Sequence, residues 1–171
     1  MESEIKIKIK DINLIKLSLN KIGAESLGKS QQKDTYFSPP HKNFKGTLKY
    51  YLRVRSGNKN SFDYHIVHDD INTEEKEISI QDPEKLKDIL LALDFKIDCV
   101  VDKIREEFMF NKFKITVDKI EELGSFVEIE ADDVSKEDLL EIAKKIGVDS
   151  ANIVSGKGYP DMIIDLKNHG D

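Results

Sequence analysis

The first strand-like segment, Glu2–Lys10, places a charged residue at every second position, with Ser3 and three isoleucines between. Successive side chains of a β-strand point to opposite faces. One face of this strand then carries Glu2, Glu4, Lys6, Lys8 and Lys10. Two carboxylates followed by three ammonium groups on one surface can hold a divalent cation beside a polyanion. The segment therefore predicts a strand with one buried aliphatic face and one chemically active face.

The same two-residue spacing of charges recurs in later strand-like segments. The repeated charges are Arg53 and Arg55; Glu75 and Glu77; Lys103, Arg105 and Glu107; Lys112, Lys114 and Asp118; and Glu128 and Glu130. A solvated sheet face explains any one of these segments on its own. For the run at 74–77 that explanation stays open. Taken together, the arginine pair and the carboxylate pairs stand on different strands, so these pairs are segregated by sign rather than interspersed, which favours a charged surface that faces inward around an anionic ligand.

The chain reads as mostly β-structure interrupted by three helices. Strand-like runs lie at the N-terminus and near 24–37, 47–56, 62–68, 74–81, 97–108, 112–119 and 124–131. Helices are predicted over 12–22, from Asp82 to about residue 94, and from Ser135 to Gly147. We predict an α+β, mainly antiparallel fold: a closed eight-stranded β-barrel, or tunnel, with helices packed outside. Residues 1–171 are expected to form a single domain.

The amino-acid composition argues against several classes of function. The net charge of −6 argues against non-specific nucleic-acid binding, which needs a basic face. The single cysteine, Cys99, excludes an intramolecular disulfide and a cysteine-rich metal site, and it is expected to be a buried hydrophobe. No signal peptide or long apolar run is evident, so we expect no membrane partner and a cytoplasmic location. A homodimer is left open.

The charged residues suit a small-molecule triphosphate, which carries about four negative charges near neutral pH and matches planar bidentate donors. The guanidinium donors are Arg53, Arg55 and Arg105. Further positive charge comes from Lys6, Lys8 and Lys103. Mg²⁺ or Mn²⁺ takes oxygen ligands and keeps several waters, so two or three carboxylates suffice. The candidate ligands are Glu2, Glu4, Asp118, Glu128 and Glu130.

Several ordered motifs resemble the CYTH superfamily of triphosphate tunnel metalloenzymes. The N-terminal Glu-x-Glu-x-Lys is similar to the family signature. Matching segments follow at Asp34–Phe37, Leu52–Arg55, Glu75–Glu77, Lys103–Arg105, Asp118–Glu130 and Ser155–Pro160. The sequence Leu-Gly-Ser-Phe-Val-Glu-Ile-Glu at 123–130 most resembles the small class IV adenylyl cyclase-like and thiamine triphosphatase-like branch. In the fourth strand His65 stands where the family commonly has lysine, and an arginine common before Glu75 is missing.

The resemblance implies roles for the charged residues. Lys6, Arg53 and Arg105 would be catalytic. Substrate would be bound by Lys6, Lys8, Arg53, Arg55, His65, Glu75, Glu77, Lys103 and Arg105. Metal would be bound by Glu2, Glu4, Glu128 and Glu130, with Asp118 helping. His65 and His68, in contrast, do not form a metal pair with each other, because three residues apart on a strand they face opposite ways.

The resemblance implies an ATP-binding, metal-dependent enzyme, and the reaction has alternatives. The first is a class IV adenylyl cyclase, a lyase that converts ATP to cyclic AMP and pyrophosphate. The second is a triphosphatase, a hydrolase that acts on thiamine triphosphate, a nucleoside triphosphate or inorganic tripolyphosphate. The third is a non-catalytic module that binds nucleotide or polyphosphate. Cyclase and triphosphatase need the same charges, so the residues do not separate these two.

Overall fold

The computed structural model describes residues 2–42, 50–154 and 156–169. The strands are β1 (Glu2–Ile9), β2 (Glu25–Ser38), β3 (Tyr50–Gly57), β4 (Ser61–Val67), β5 (Asn72–Ser79), β6 (Lys96–Phe110), β7 (Phe113–Ile120) and β8 (Gly124–Asp132). The α-helices in the described residues are α1 (Ile12–Lys21), α2 (Pro83–Ala92), α3 (Lys136–Lys145) and α4 (Tyr159–His169). The predicted strand over 47–56 thus begins at Tyr50 in the described residues, and 47–49 lie outside them.

The strand order β1-β5-β4-β3-β2-β6-β7-β8 closes on itself. Neighbouring strands are antiparallel wherever their register is defined, as in β1 with β8 and β6 with β7. The structure therefore confirms the predicted α+β class and the ring of eight antiparallel strands. Within the described residues, this order gives each strand two neighbours in the sheet.

The chain divides into two compact units. Unit 1 comprises Met1–Ser30, Asp69–Thr73 and Lys103–Gly156. Unit 2 comprises Gln31–His68, Glu74–Asp102 and Lys157–Asp171. Unit 1 therefore holds β1, β7, β8, α1 and α3, whereas unit 2 holds β3, β4, α2 and α4.

The core of unit 1 is built on the aliphatic face of its sheet. Ile7 of β1 and Ile129 of β8 are fully buried in one cluster with Leu19 of α1 and Leu139 of α3. The isoleucines that alternate with charges in β1 therefore lie under helices, as the alternation predicts. Because strand side chains alternate, the charged residues of β1 and β8 point to the opposite face of the sheet.

Unit 2 has a smaller core of the same kind. Phe37 of β2 and Val54 of β3 are fully buried and pack with Leu90 of α2. Val54 lies between Arg53 and Arg55, so its burial under α2 directs both guanidiniums to the other face of β3.

The helix starts predicted from the sequence have the expected capping contacts. The Asp11 carboxylate accepts hydrogen bonds from Asn13 N and Leu14 N at the start of α1, at 2.8 and 3.2 Å. Asp82 accepts from Lys85 N at 2.9 Å, with Pro83 in the first turn of α2. Ser135 and Asp138 form a capping box at α3. Each contact satisfies backbone N–H groups that have no partner within the helix.

Helix α4 corrects the prediction of three helices. The sequence predicts a flexible turn at Ser155–Gly158, of which Ser155 lies outside the described residues, and it predicts no helix after that turn. Helix α4 nevertheless begins at Tyr159, with Pro160 in its first turn, where the missing N–H costs nothing. Tyr159 and Ile163, four residues apart, are both buried. That spacing, together with Pro in the first turn, is the signal for a helix.

Cys99 lies in β6 and is buried, as predicted. Burial, reinforced by the nearby Asp98 carboxylate, raises the pKa of the thiol to about 12. A thiol protonated at neutral pH is a poor nucleophile and a poor metal ligand, so Cys99 has a packing role. Among the described residues, no helix has the length and apolar character needed to cross a membrane.

Candidate functional site

Strand register in unit 1 brings the charged residues of four strands together. Glu4 and Lys6 of β1 lie opposite Glu130 and Glu128 of β8. Thr116 of β7 also faces Glu128, and Lys114 faces Glu130. Arg105 of β6 faces Asp118 of β7. Directly opposed residues have Cβ atoms about 4.5–5.5 Å apart, close enough for ion pairs.

Arg105 is held between two buried carboxylates. Its Nε donates to Asp118 Oδ1 at 2.8 Å, and its terminal nitrogen donates to Asp118 and to Glu128. Thr116 Oγ1 donates to the same Glu128 oxygen at 3.3 Å. Arg105, Asp118 and Glu128 are each less than 7% exposed. A guanidinium fixed in this way keeps its plane and its direction, so it is preorganised for binding an anion.

Lys6 bridges two glutamates on neighbouring strands. Its Nζ lies 2.9 Å from Glu4 Oε1 and 2.9 Å from Glu128 Oε1. Burial opposes the charge on Lys6, but Glu128 and Glu4 outweigh it and raise the pKa. Burial likewise opposes the charge on Glu128, but Lys6 and Arg105 hold its pKa well below the usual range. Both groups are therefore ionised at neutral pH.

Glu4 also belongs to what we call the carboxylate triad: Glu2, Glu4 and Glu130. One oxygen from each lies within 4.8 Å of the other two. Burial and the charge of Glu128 raise the pKa of Glu4. Carboxylates this close repel one another, and a cation that binds all three relieves the repulsion. Oxygen-only donors suit hard cations such as Mg²⁺ and Mn²⁺.

The structure thus separates the five carboxylates predicted to bind metal. Glu2, Glu4 and Glu130 come together, whereas Asp118 and Glu128 contact Arg105. Lys103 is buried and adds positive charge near Glu128. Lys8 is exposed, with its Nζ 5.8 Å from the ring centroid of Phe126. Lys8 is therefore not part of the buried network.

In unit 2, the arginine pair, Arg53 and Arg55, is held by carboxylates in the same way. Arg55 makes a bidentate pair with Asp34, at 2.7 and 2.8 Å. Arg53 donates from Nε to Asp63 at 2.8 Å and from a terminal nitrogen to Glu75 at 3.0 Å. Asp34 and Asp63 have no exposed surface. The two guanidiniums are therefore fixed in place.

Sequence reasoning gave no role to Asp34 and Asp63. Asp34 lies opposite Arg55, and Asp63 lies opposite Arg53. A buried charge without an opposite charge nearby is costly, so each buried arginine needs a carboxylate. The pairing of β2, β3 and β4 places Asp34 and Asp63 where they meet this need. A search for the acidic partner of each arginine on the adjacent strands would have found them.

His65, predicted to be a substrate contact, is buried beside the arginine pair. Its ring stacks on Tyr51, with centroids 4.5 Å apart and an interplanar angle of 15°. His65 Nε2 lies 3.4 Å from Glu75 Oε1. Burial raises the pKa of Glu75 against the lowering effect of Arg53. Glu75 and Glu77, both predicted as substrate contacts, are exposed residues of β5.

The pKa of Glu128 predicts how acid affects stability. Because that pKa is depressed on folding, Glu128 contributes fully above its ordinary value of 4.5, and the contribution is lost as pH falls below it. We therefore compare the free energies of unfolding of wild type and Glu128→Gln. Their difference should be largest near neutral pH and should shrink below pH 4.5. Urea unfolding at a series of pH values measures it, with the exposed Glu121→Gln as control. A difference that does not change with pH would contradict the assignment.

Comparisons with known proteins agree with the motifs. A family model described as the CYTH domain matches residues 1–156. A Methanocaldococcus jannaschii protein, provisionally named an adenylate cyclase, is 32% identical over 165 residues, covering 90% of this chain and 94% of the relative. The PH1012 protein from Pyrococcus horikoshii has a TM-score of 0.82 at 27% identity, over 94% of this chain and 98% of that one.

A more distant structure shares the fold. A Hippeastrum protein, provisionally named an adenylyl cyclase and described as having a dominant triphosphatase activity, has a TM-score of 0.70. It is 16% identical, and the match covers 98% of this chain and 96% of that one.

Proposed function

Because this chain belongs to the CYTH domain family, we propose that it is a divalent-metal-dependent enzyme that processes a small-molecule triphosphate. The carboxylate triad beside the ionised Lys6 and the fixed Arg105 carries the proposal. A protein that only binds anions gains nothing from three clustered carboxylates, which repel its ligand. This argues against the non-catalytic alternative.

Glu2, Glu4 and Glu130 are the proposed metal ligands, and their oxygen-only donor set fits Mg²⁺ or Mn²⁺. The metal supplies Lewis-acid polarisation of phosphate oxygens. Asp118 and Glu128 are assigned a positioning role, because they orient Arg105 and Lys6. This revises the ligand set of five carboxylates to the carboxylate triad.

The basic residues are proposed to bind phosphate oxygens and stabilise charge that develops on them. Lys6 and Arg105 are ionised and fixed before substrate binds, so they need no reorganisation during the reaction. Arg53, Arg55 and Lys103 are proposed phosphate ligands on the sequence resemblance, with Arg53 also retained as catalytic. Substrate contacts are a weaker proposal for three other residues. Lys8 and Glu77 are exposed, and Glu75 pairs with Arg53.

The first candidate reaction is cyclisation of ATP, which matches the name of the M. jannaschii relative. The ribose 3′-hydroxyl oxygen attacks the α-phosphorus, the bond to the bridging oxygen breaks, and pyrophosphate leaves while the hydroxyl proton is released. The second candidate is hydrolysis, in which a water attacks the terminal phosphorus, the bond from that phosphorus to the bridging oxygen breaks, the diphosphate leaves, and orthophosphate forms as the water releases a proton. Hydrolysis is retained as a candidate because the Hippeastrum protein, which shares this fold, is described as having a dominant triphosphatase activity.

Product chromatography separates the two reactions. Purified protein is incubated with ATP, thiamine triphosphate or tripolyphosphate, in Mg²⁺ or in Mn²⁺. Cyclic AMP with pyrophosphate identifies the cyclase, whereas orthophosphate with a diphosphate product identifies the triphosphatase. Complete recovery of all three substrates under both metals would contradict the enzyme proposal.

A further inference from the structure

Unit 2 brings one imidazole and two carboxylates together. Asp63 and His65 lie two residues apart on β4, so their side chains share a face. Glu75 lies on β5, the neighbour of β4 in the strand order. One ligand atom from each residue lies within 4.8 Å of the other two, and His65 Nε2 is 3.4 Å from Glu75 Oε1. Three ligand types at this spacing can share one ion.

One carboxylate oxygen of Asp63 has no hydrogen-bond donor among the described residues. Oδ2 accepts from Arg53 Nε at 2.8 Å and from Ser61 Oγ at 3.2 Å, while Oδ1 is buried without a partner. Asp63 as a whole has no exposed surface. A buried, charged oxygen without a donor is rare in folded proteins and calls for a ligand.

We propose that Asp63, His65 and Glu75 form a binding site for a transition-metal ion such as Zn²⁺, Mn²⁺ or Co²⁺. Imidazole together with carboxylates is a donor set that suits these ions, whereas Mg²⁺ prefers oxygen alone. This site is additional to the carboxylate triad and does not depend on the proposed reaction. It gives His65 a role of its own at the position where the family commonly has lysine.

The surroundings of the three residues support metal binding. Ligating carboxylates and imidazoles are generally oriented by a further shell of contacts. Here Arg53 and Ser61 orient Asp63, and Tyr51 stacks on the His65 ring. The side chain of Glu75 keeps 27% of its surface exposed, which leaves it accessible to an incoming ion.

Charge sets the expected affinity. Asp63 and Glu75 contribute two negative charges, Arg53 contributes one positive charge, and a neutral imidazole contributes none. A net charge of −1 attracts a divalent cation, but the guanidinium competes for both carboxylates. We therefore expect weaker binding than at a site without the arginine.

Titration of the metal-free full-length protein with Co²⁺ alone tests the site. Cobalt coordinated by an imidazole nitrogen has a visible absorption band that is shifted from the band of cobalt with oxygen ligands alone, and calorimetry counts equivalents. Wild type should bind one equivalent with that band, and His65→Ala should lose the band and weaken this binding at least 10-fold. His68→Ala is the matched control, because His68 follows β4 but is 40% exposed. It should titrate like wild type.

Two further variants keep the outcome interpretable. Asp63→Asn preserves side-chain volume and should lower the affinity for the equivalent of Co²⁺ that gives the band. Circular dichroism verifies that this variant is folded. Glu130→Gln alters the carboxylate triad and should leave the imidazole band in place. A wild-type protein without the band, or a His65→Ala protein that retains both the band and its affinity, would overturn the proposal. Since no triphosphate is present, neither result depends on the proposed enzyme activity.

Discussion

Replacing Glu130 with glutamine is expected to lower triphosphate turnover by about 10²–10³-fold, the loss typical when one group that stabilises transition-state charge is disabled. The amide keeps the shape of the side chain but removes one of the three charges of the carboxylate triad. Lys114 Nζ also loses its 2.8 Å ion pair with Glu130, while its 3.7 Å contact with Glu107 remains. Initial rates at saturating substrate, measured across a Mn²⁺ series, give the loss of turnover and the change in metal requirement.

Glu122→Gln is the control for this variant, because Glu122 lies in the exposed turn before β8 and the substitution makes the same chemical change. It should leave turnover within about two-fold of wild type, as expected for a surface position away from the site. Equal turnover of Glu130→Gln and wild type at every Mn²⁺ concentration would contradict the assignment of Glu130 as a metal ligand.

Replacing Arg105 with alanine is expected to lower the free energy of unfolding by about 3–5 kcal/mol, the cost of breaking a buried ion pair by removing one partner. Asp118 and Glu128 are both buried and would lose the guanidinium that contacts them. The loss should be present without substrate or metal, because the contacts belong to the folded protein alone. Urea unfolding at neutral pH measures it.

Lys29→Ala is the comparison for Arg105, since Lys29 Nζ lies 3.7 Å from Glu106 and the lysine is 61% exposed. Exposed pairs contribute about 0–1 kcal/mol, so this variant should be close to wild type. An Arg105→Ala protein whose free energy of unfolding also falls by less than about 1 kcal/mol would show that the buried network is not what stabilises unit 1.

Side-chain parity accounts for what the sequence predicts well. The alternation in β1 assigns Ile5 and Ile7 to the core face and Glu4 and Lys6 to the charged face, and burial agrees for the isoleucines. Strand parity requires no knowledge of the partner strand. It therefore identifies which residues share a face before any tertiary structure is known.

Pair partners are harder to predict, because they depend on register. Parity puts Arg105 and Asp118 on charged faces, but only the pairing of β6 with β7 places them opposite each other. A slip of one residue would reverse every side chain, and a slip of two would change every partner. For this reason the division between the carboxylate triad and the carboxylates that hold Arg105 does not follow from spacing alone.

The alternation of side chains also does not predict how deeply a residue is buried at a given point along the strand. Lys6 and Lys8 share a face, yet Lys6 is buried and Lys8 is exposed. Glu75 and Glu77 are both exposed and share a face, yet Glu75 lies deep enough to accept a hydrogen bond from Arg53 at 3.0 Å. Lys8 and Glu77 are therefore the predicted substrate contacts that the structure supports least.

We propose that the protein processes a triphosphate with the help of a divalent metal. The most direct test is release of phosphate or pyrophosphate from ATP, thiamine triphosphate and tripolyphosphate, measured with Mg²⁺ or Mn²⁺, after EDTA, and after metal is restored. We predict turnover of at least one substrate, its loss in EDTA and its recovery with metal. Turnover that is unchanged in EDTA, or no release from any of the three substrates, would contradict the claim.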